Sequence, residues 1–271
     1  MDVGRFSRHL AQLAAAGVMI AAIAGPARVW AEAAPQSCMV PSDLVRFDFP
    51  LSRLAERIAN AGPIKIVAIG SSSTSGHGAS SSAFCYPSRL EIELKARFPR
   101  LAITVINHGV GGEEASQMLA RFGPDAIAEN PDLVLWQVGT NAVLRGRDVA
   151  EVADTIREGI NRLKAIGTDV ILIGPQFAPR VIEKSDAENM VALITAAAKR
   201  EKVNVFRRFA VMRYWSETRH VSFQQSVSPD GLHMNDWSYG CMAQLLANAI
   251  ADASAHISHA AGIPGAASAH R

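Results

Sequence analysis

From residue 63 onward, short apolar runs alternate with longer segments whose apolar residues recur at helical spacing. The short runs, rich in β-branched residues, predict strands over 64–69, 102–106, 132–138, 169–173 and 203–206. The longer segments predict helices over 86–98, 148–166, 187–202 and 238–253, with a further helix beginning at Glu113. Continuous apolar strands alternating with helices are typical of a parallel sheet covered on both faces. We therefore expect a three-layer α/β/α fold with a five-stranded parallel sheet, for which a flavodoxin-like strand order is the common choice.

Residues 1–31 predict a secretory signal peptide. Arg5 and Arg8 precede an apolar run over 10–24, and small residues follow it. A membrane anchor is the alternative, but the run is shorter than the roughly 20 apolar residues that cross a bilayer, and it contains Gln12. We expect a periplasmic or secreted protein with no stable membrane span after cleavage.

The rest of the chain divides into three parts. We expect residues 32–62 to form a lead-in segment, residues 63–255 to form one domain, and residues 256–271, rich in Ala, Gly and Ser, to form a disordered tail. His256 and His259 could hold a metal, but the frayed end of a helix explains them more simply.

Composition excludes several classes of protein. With 271 residues, 49% of them hydrophobic, the chain has ample material for a packed core, which excludes a disordered protein. The net charge is only +2 and aromatic residues make up 6%, so the sequence lacks the basic face and stacking platform that nucleic acids need. We expect no nucleic-acid partner, and the sequence does not predict an oligomeric state.

The cysteines are Cys38, Cys85 and Cys241. In an oxidising compartment, one disulfide and one free thiol is the simplest arrangement, although the count alone does not choose the pair. We favour Cys38 with Cys241, which would join the start of the exported chain to the last predicted helix. The alternative is three buried thiols that act as small hydrophobic side chains.

In parallel sheets, ligands bind beyond the carboxyl ends of the strands. The first predicted strand ends in a Ser/Gly loop over 70–76, and a turn that begins with glycine can expose a serine hydroxyl there. Ser72 is therefore a candidate nucleophile. A phosphate cradle or a plain linker are alternatives, but no Lys follows Gly76, so the P-loop pattern is absent, and no G-x-S-x-G motif occurs in the chain.

The second and third predicted strands end in possible oxyanion donors. Gly112 lies in a glycine-rich segment before a helix, where backbone N–H groups are available. Asn141, in Gly-Thr-Asn, brings a side-chain amide to the same edge. Alone, Gly112 is better explained by tight packing with positive φ, and Asn141 fits an ordinary turn equally well.

Before the last helix, Asp230 and His233 are three residues apart. This spacing lets the carboxylate accept from the histidine Nδ1–H and leaves Nε2 free as a base. Glu217 and His220 repeat the spacing, in a stretch better suited to a solvated or substrate-lining loop. The sequence contains no His-x-x-x-His or Cys-x-x-Cys ligand pattern, so we predict no metal site.

In order, these four blocks resemble those of the SGNH hydrolases, the GDSL-like esterases and lipases, over about residues 63–255. The resemblance implies that Ser72 is the nucleophile, His233 the general base and Asp230 its orienting partner. It also implies an oxyanion hole made of the Ser72 N–H, the Gly112 N–H and the Asn141 side chain. No metal or organic cofactor is implied.

The chain departs from the family pattern at two positions, where Ser71 and Ala142 replace acidic residues that the family often has. Neither position belongs to the implied triad, so the chemistry is retained, but any substrate preference tied to those acids is in doubt. Residues near predicted strand ends are candidates for substrate binding, although a structural role fits each equally well: His108, Trp136, Gln137, Gln176 and Phe177.

The sequence thus predicts an exported serine esterase. It would hydrolyse or transfer short acyl groups, such as acetyl, from small-molecule or polysaccharide esters, including carbohydrate or lipid esters. This substrate class rests on export and family analogy alone. A periplasmic carbohydrate- or lipid-binding protein that retains the fold without catalysis is the alternative of a different class, and a phosphate-binding flavodoxin-like module is a weaker one.

Overall fold

A computed structural model of the chain describes Met1 and residues 38–255. The chain divides into two units, Met1–Gln36 and Ser37–Arg271, and the sheet lies in the second. Apart from Met1, the predicted signal peptide over 1–31 lies outside the described residues, as does the predicted tail over 256–271. Among the helices of residues 38–255, none combines the length and apolar character needed to cross a membrane.

The sheet has five parallel strands, which are β1 (Ile64–Gly70), β2 (Ile103–Gly109), β3 (Leu133–Gln137), β4 (Asp169–Ile173) and β5 (Asn204–Phe206). Their order is β2-β1-β3-β4-β5. This confirms both the predicted three-layer fold and the flavodoxin-like order. All five residues of β3 are buried, as expected for a strand covered on both faces.

Five helices have eight or more residues, among those described: α2 (Ser52–Ala59), α4 (Tyr86–Arg97), α7 (Val149–Lys164), α9 (Ala187–Glu201) and α12 (Asp236–Ala255). The shorter α-helices are α1 (Ser42–Val45), α3 (Ser72–Ser75), α5 (Ala115–Ala120), α6 (Thr140–Leu144), α8 (Pro179–Ile182), α10 (Arg208–Arg213) and α11 (Phe223–Ser226). Single turns of other helix types cover Ser82–Phe84, Gly123–Ile127 and Tyr214–Thr218. Helix α4 packs against α12, and α7 packs against α9.

From residue 38 onward, the predicted lead-in segment packs against the sheet and α12. Helix α2 is attached to the sheet by two carboxylates at the amino ends of β3 and β4. Asp132 accepts hydrogen bonds from Arg53 Nε at 3.1 Å and Arg57 Nε at 2.7 Å. Asp169 accepts from the backbone N–H of Leu54 at 2.9 Å, at the start of α2. Burial raises the pKa of the Asp169 carboxyl to about 6, in spite of this hydrogen bond.

Residues 38–51 form a strap beside α12. Its first residue, Cys38, is disulfide-bonded to Cys241, 203 positions along the chain, and this is the pair favoured from the sequence. At the other end of the strap, the N–H of Leu51 donates to the carbonyl of Ala253 at 3.2 Å. The third cysteine, Cys85, is a buried free thiol. The strap is therefore joined to both halves of the last helix.

The disulfide predicts a large dependence of stability on redox conditions. Replacing Cys241 by Ala should lower the free energy of unfolding by about 2–5 kcal/mol, because the unfolded chain loses a long closed loop. Thermal melts with and without dithiothreitol test this. Reductant should lower the Tm of the wild-type protein towards that of the variant and leave the Tm of the variant unchanged. The prediction would be contradicted if a thiol assay shows that the disulfide of the wild-type protein is reduced and its Tm is nevertheless unchanged.

Candidate active site

Ser72 is the first residue of α3, and one residue, Ser71, separates it from the end of β1. The turn is held from β3 by Gln137, whose Oε1 accepts from the Ser71 N–H at 2.9 Å and the Ser71 hydroxyl at 3.0 Å. Thr74 Oγ1 donates to the same oxygen at 3.3 Å. Ser71, Thr74 and Gln137 are buried, whereas Ser72 is partly exposed. The neighbours of Ser72 are therefore fixed in the core while its hydroxyl faces the sheet edge.

His233 and Asp230 lie in the loop that precedes α12. His233 Nε2 is 2.8 Å from Ser72 Oγ, and His233 Nδ1 is hydrogen-bonded to Asp230 Oδ2. The other carboxylate oxygen, Asp230 Oδ1, accepts from the Ser228 hydroxyl at 2.6 Å and from the N–H groups of Leu232 at 2.9 Å and His233 at 3.0 Å. The hydroxyl, imidazole and carboxylate predicted from the sequence are thus brought into one hydrogen-bonded chain.

These contacts set the charge of Asp230. Burial alone would raise the pKa of its carboxyl, but hydrogen bonds from Ser228, His233 and the backbone N–H groups outweigh burial and hold the pKa well below its ordinary value. A carboxyl whose pKa falls on folding stabilises the fold at pH values above its ordinary pKa, and this contribution is lost as the pH drops through the lowered value. Asp230 is therefore a carboxylate at neutral and mildly acidic pH, able to stabilise a positive charge on His233.

The segment after β2 carries Gly112, whose φ of 82° favours glycine. Two side chains from the region of α6 hold this segment. Asn141 Nδ2 donates to the carbonyl of Glu113 at 2.8 Å, and Arg145 Nη2 donates to the carbonyl of Gly112 at 2.8 Å. The next helix begins at Ala115, two residues later than predicted. Gly112 and Asn141 therefore belong to one hydrogen-bonded unit at the carboxyl edge of the sheet.

A polar groove of about 540 Å³ adjoins this unit. Its lining includes Glu114, Gln117, Arg145, Arg147 and Thr155. Glu114 is paired with Arg145 and Arg147, and these contacts lower the pKa of its carboxyl although burial would raise it. The groove thus offers both donors and acceptors of hydrogen bonds beside Gly112 and Asn141.

Gln176 links the histidine loop to α6. Its Nε2 donates to the carbonyl of Leu232 at 3.0 Å, and its Oε1 accepts from Thr140 Oγ1 at 3.0 Å and Arg208 Nη2 at 2.9 Å. Because Leu232 precedes His233 and Thr140 precedes Asn141, this one side chain sets the position of two functional loops. Gln176 is 1% exposed, so its contacts are internal.

The structure corrects part of the predicted substrate-binding set. Gln137 and Gln176 are buried and bind loops of the protein itself. Trp136 is fully buried, with its ring against Phe122 at a centroid distance of 4.9 Å. The prediction that these three residues line a substrate pocket is wrong, because their side chains present no surface to a ligand.

The other two predicted substrate-binding residues also have neighbours within the protein. Phe177 packs edge-on against Phe209 at 5.2 Å, and His108 Nε2 lies 3.9 Å from Glu129 Oε1. Over residues 38–255, no hydrogen bond or ring contact joins either of them to Ser72 or His233. Their role in binding stays a prediction.

Sequence reasoning missed His77. This exposed residue lies five positions after Ser72, between two glycines, and its ring centroid is 5.4 Å from that of His233. A histidine within an otherwise Ser/Gly-rich loop next to the candidate nucleophile was the available signal.

The rival pair, Glu217 and His220, lies elsewhere, with His220 on an exposed turn at φ 55°. Within the described part of the chain, no cluster of three or more His, Cys, Asp or Glu side chains is arranged to hold a metal.

The hydrogen bonds of Gln176 predict that its substitution lowers the free energy of unfolding. Gln176→Leu should lower the free energy of unfolding by about 1–3 kcal/mol, because buried partners at Leu232, Thr140 and Arg208 lose their hydrogen bonds. Denaturant unfolding measures the change. Gln224→Leu is the matched control, since Gln224 is exposed and should cost less than about 0.5 kcal/mol. Equal stability of the two variants would show that Gln176 is not a structural link.

Comparisons with known proteins find esterases among the relatives of this chain. An acetylxylan esterase of Geobacillus stearothermophilus is 32% identical over 94 residues, which cover 31% of this chain and 43% of the relative. Esterase TesA of Pseudomonas aeruginosa is 31% identical over 83 residues, which cover 29% of this chain and 41% of the relative. The matched part of this chain thus spans less than half the length of either curated relative.

A solved structure of a two-domain esterase active on acetylated mannans has a TM-score of 0.66 at 18% identity, covering 80% of this chain and 57% of that one. This likeness shows the fold. The model of the non-GDSL lipase-like family matches residues 37–256, most of the sequence. The predicted resemblance to SGNH hydrolases is confirmed, and the chain belongs to the non-GDSL lipase-like family.

Proposed function

We propose that this protein is an exported serine ester hydrolase that removes short acyl groups, such as acetyl, from carbohydrate esters. One observation carries the proposal: Ser72 Oγ lies 2.8 Å from His233 Nε2, and the same imidazole is hydrogen-bonded through Nδ1 to Asp230. A hydroxyl, a base and an orienting carboxylate in this arrangement activate serine for attack on a carbonyl.

The reaction runs in two acyl-transfer steps. In the first, His233 Nε2 takes the proton of Ser72 Oγ as the oxygen attacks the ester carbonyl, and a tetrahedral intermediate forms. Its collapse breaks the bond to the alcohol oxygen, which leaves with the proton from His233. Water then attacks the acyl-serine by the same route, releasing the acid and restoring the Ser72 hydroxyl. Asp230, which is ionised at neutral and mildly acidic pH, stabilises the imidazolium formed in each step.

The oxyanion of each intermediate needs hydrogen-bond donors that are already in place. We assign this role to the N–H groups of Ser72 and Gly112 and to the side chain of Asn141. The Asn141 amide has two N–H bonds, of which one is used by the carbonyl of Glu113 at 2.8 Å. That contact orients the amide and leaves its second N–H for the substrate oxygen.

Carbohydrate esters are favoured as substrates by the relatives and by the surroundings of the site. One relative is an acetylxylan esterase, and the structurally similar two-domain esterase is active on acetylated mannans. The polar groove beside Gly112 and Asn141 suits the hydroxyl groups of a sugar chain. Lipid esters fit less well, because the groove is lined by charged side chains such as Arg145 and Arg147.

Export is supported by two features. Residues 1–31 have the pattern of a signal peptide, and Cys38 and Cys241 form a disulfide. Disulfides persist mainly in oxidising compartments such as the periplasm or the cell exterior. We therefore place the reaction outside the cytoplasm.

Loss of the nucleophile tests the proposal directly. Ser72→Ala and His233→Ala should each reduce kcat for p-nitrophenyl acetate by about 10⁴- to 10⁶-fold, with similar residual rates because the triad acts as a unit. A fluorophosphonate probe should label the wild-type protein at Ser72 and leave Ser72→Ala unlabelled. Ser81→Ala, an exposed serine nearby, is the control and should keep full activity and labelling. Unchanged hydrolysis by purified Ser72→Ala, or no labelling of the wild type, would refute the assignment and favour a non-catalytic binding protein.

The oxyanion assignment makes a second kinetic prediction. Asn141→Ala should lower kcat by about 10²- to 10³-fold with little change in KM, because the lost hydrogen bond strengthens in the transition state. Arg145→Ala separates this effect from movement of the segment, since Arg145 also holds that segment, through Gly112, but is not assigned to the oxyanion. Equal losses in the two variants would show that Asn141 acts only through the position of the segment.

A further inference from the structure

His77 is held in place by its backbone, although its side chain is exposed. Its N–H donates to the carbonyl of Ser72 at 2.9 Å, and its own carbonyl accepts from the hydroxyl of Tyr239 at 2.7 Å. Gly78 packs so closely on the histidine loop that a Cβ there would lie 2.8 Å from His233 Cβ. The backbone of His77 is thus anchored to the nucleophile turn, to α12 and to the turn of His233.

The side chain of His77 is also oriented. Its Nδ1 lies 2.9 Å from Ser75 Oγ, and its ring centroid is 5.4 Å from that of His233. The nearest atom to a Cβ built on Gly111 is His77 Cε1, at 3.3 Å. The ring is therefore close both to the proposed general base and to the segment that carries Gly112.

The hydrogen bonds of Ser75 determine which nitrogen of His77 carries the proton. The Ser75 hydroxyl has one hydrogen, which it donates to the carbonyl of Ser72 at 3.0 Å. Both contacts of Ser75 Oγ are hydrogen bonds at the same time only if Oγ accepts from His77, and this arrangement has the proton of the neutral ring on Nδ1. In that tautomer, Nε2 carries a lone pair and is a hydrogen-bond acceptor. Among residues 38–255, no hydrogen bond to Nε2 of His77 is found.

The proposed reaction places the alcohol part of the ester beside the ring of His233. In the proposed reaction, the alcohol oxygen takes its proton from His233 Nε2, so the alcohol is bound next to the His233 ring. The His77 ring lies beside that of His233, with 5.4 Å between the two ring centroids. An alcohol with a further hydroxyl could donate to His77 Nε2, whereas a hydrocarbon alcohol would cover the lone pair and leave it without a partner.

We propose that His77 accepts a hydrogen bond from a hydroxyl of the alcohol part of the ester, and so makes the enzyme selective for esters of polyhydroxylated alcohols. The proposal rests on the proposed esterase function and adds a residue that determines specificity. A site that hydrogen-bonds a substrate hydroxyl rejects analogues without it, because its own polar atom is then left unpaired.

Two acetate esters, one with free hydroxyl groups on the alcohol and one without, test the proposal. A monoacetylated methyl xyloside has a six-membered ring with free hydroxyls beside the ester, and cyclohexyl acetate has the same ring size and no hydroxyl. The quantity measured is the ratio of kcat/KM for the sugar ester to kcat/KM for cyclohexyl acetate. His77→Leu should lower this ratio about three- to tenfold, the effect of one neutral hydrogen bond.

Further variants keep the test decisive. His77→Gln retains an acceptor and should restore part of the ratio, whereas Ser81→Ala, in the same exposed stretch, should keep the wild-type ratio. If His77→Leu leaves this ratio unchanged, either because neither kcat/KM value falls or because both fall by the same factor, the role of His77 is overturned while ester hydrolysis itself persists. Absence of hydrolysis of any ester by the wild-type protein would instead overturn the proposed function and this inference with it.

Discussion

The loops that carry Ser72 and His233 are far apart in the sequence of the domain, and each is held by the side chain of a buried glutamine. Gln137 accepts two hydrogen bonds from Ser71, and Gln176 donates one to the carbonyl of Leu232. Leaving such groups unpaired in the interior is costly, so each loop has one position in which its polar atoms are satisfied. The 2.8 Å contact between Ser72 and His233 depends on both constraints at once.

Strand order explains why these constraints meet at one place. In the order β2-β1-β3-β4-β5, the chain leaves β1 towards β2 on one side and β3 leads towards β4 on the other. The connections after β1 and β3 therefore diverge and leave a crevice at the carboxyl edge. Ser72 follows β1, and Asn141 follows β3. The candidate site lies at this crevice. The segment that carries Gly112, which follows β2, lies at the same edge of the sheet.

The five strands could be predicted because burial on both faces of the sheet requires unbroken apolar runs. The largest difference in a strand is at β2, which extends to Gly109, three residues beyond the predicted end at 106. Its polar residues Asn107 and His108 pair in register with Ala68 and Ile69, since backbone hydrogen bonding continues regardless of side-chain polarity. A pattern of apolar residues does not reveal such an extension.

The site was predicted unevenly for a related physical reason. The candidate triad and Gly112 stand in short local motifs, which a sequence displays directly. Whether a side chain near a strand end faces a ligand or the interior depends on what packs against it, so Trp136 and Gln137 were misassigned. His77 was missed because its significance arises only from the ring of His233, which the fold brings beside it.

The strap over residues 38–51 has a consequence for motion at the site. A terminal helix usually opens first, since its last turns have few neighbours to prevent fraying. Here α12 is bound covalently near its beginning through Cys241 and by a hydrogen bond near its end through Ala253. Its unwinding is therefore coupled to release of the strap. The imidazole of His233, just before the first turn of α12, gains rigidity from a crosslink that takes no part in the chemistry.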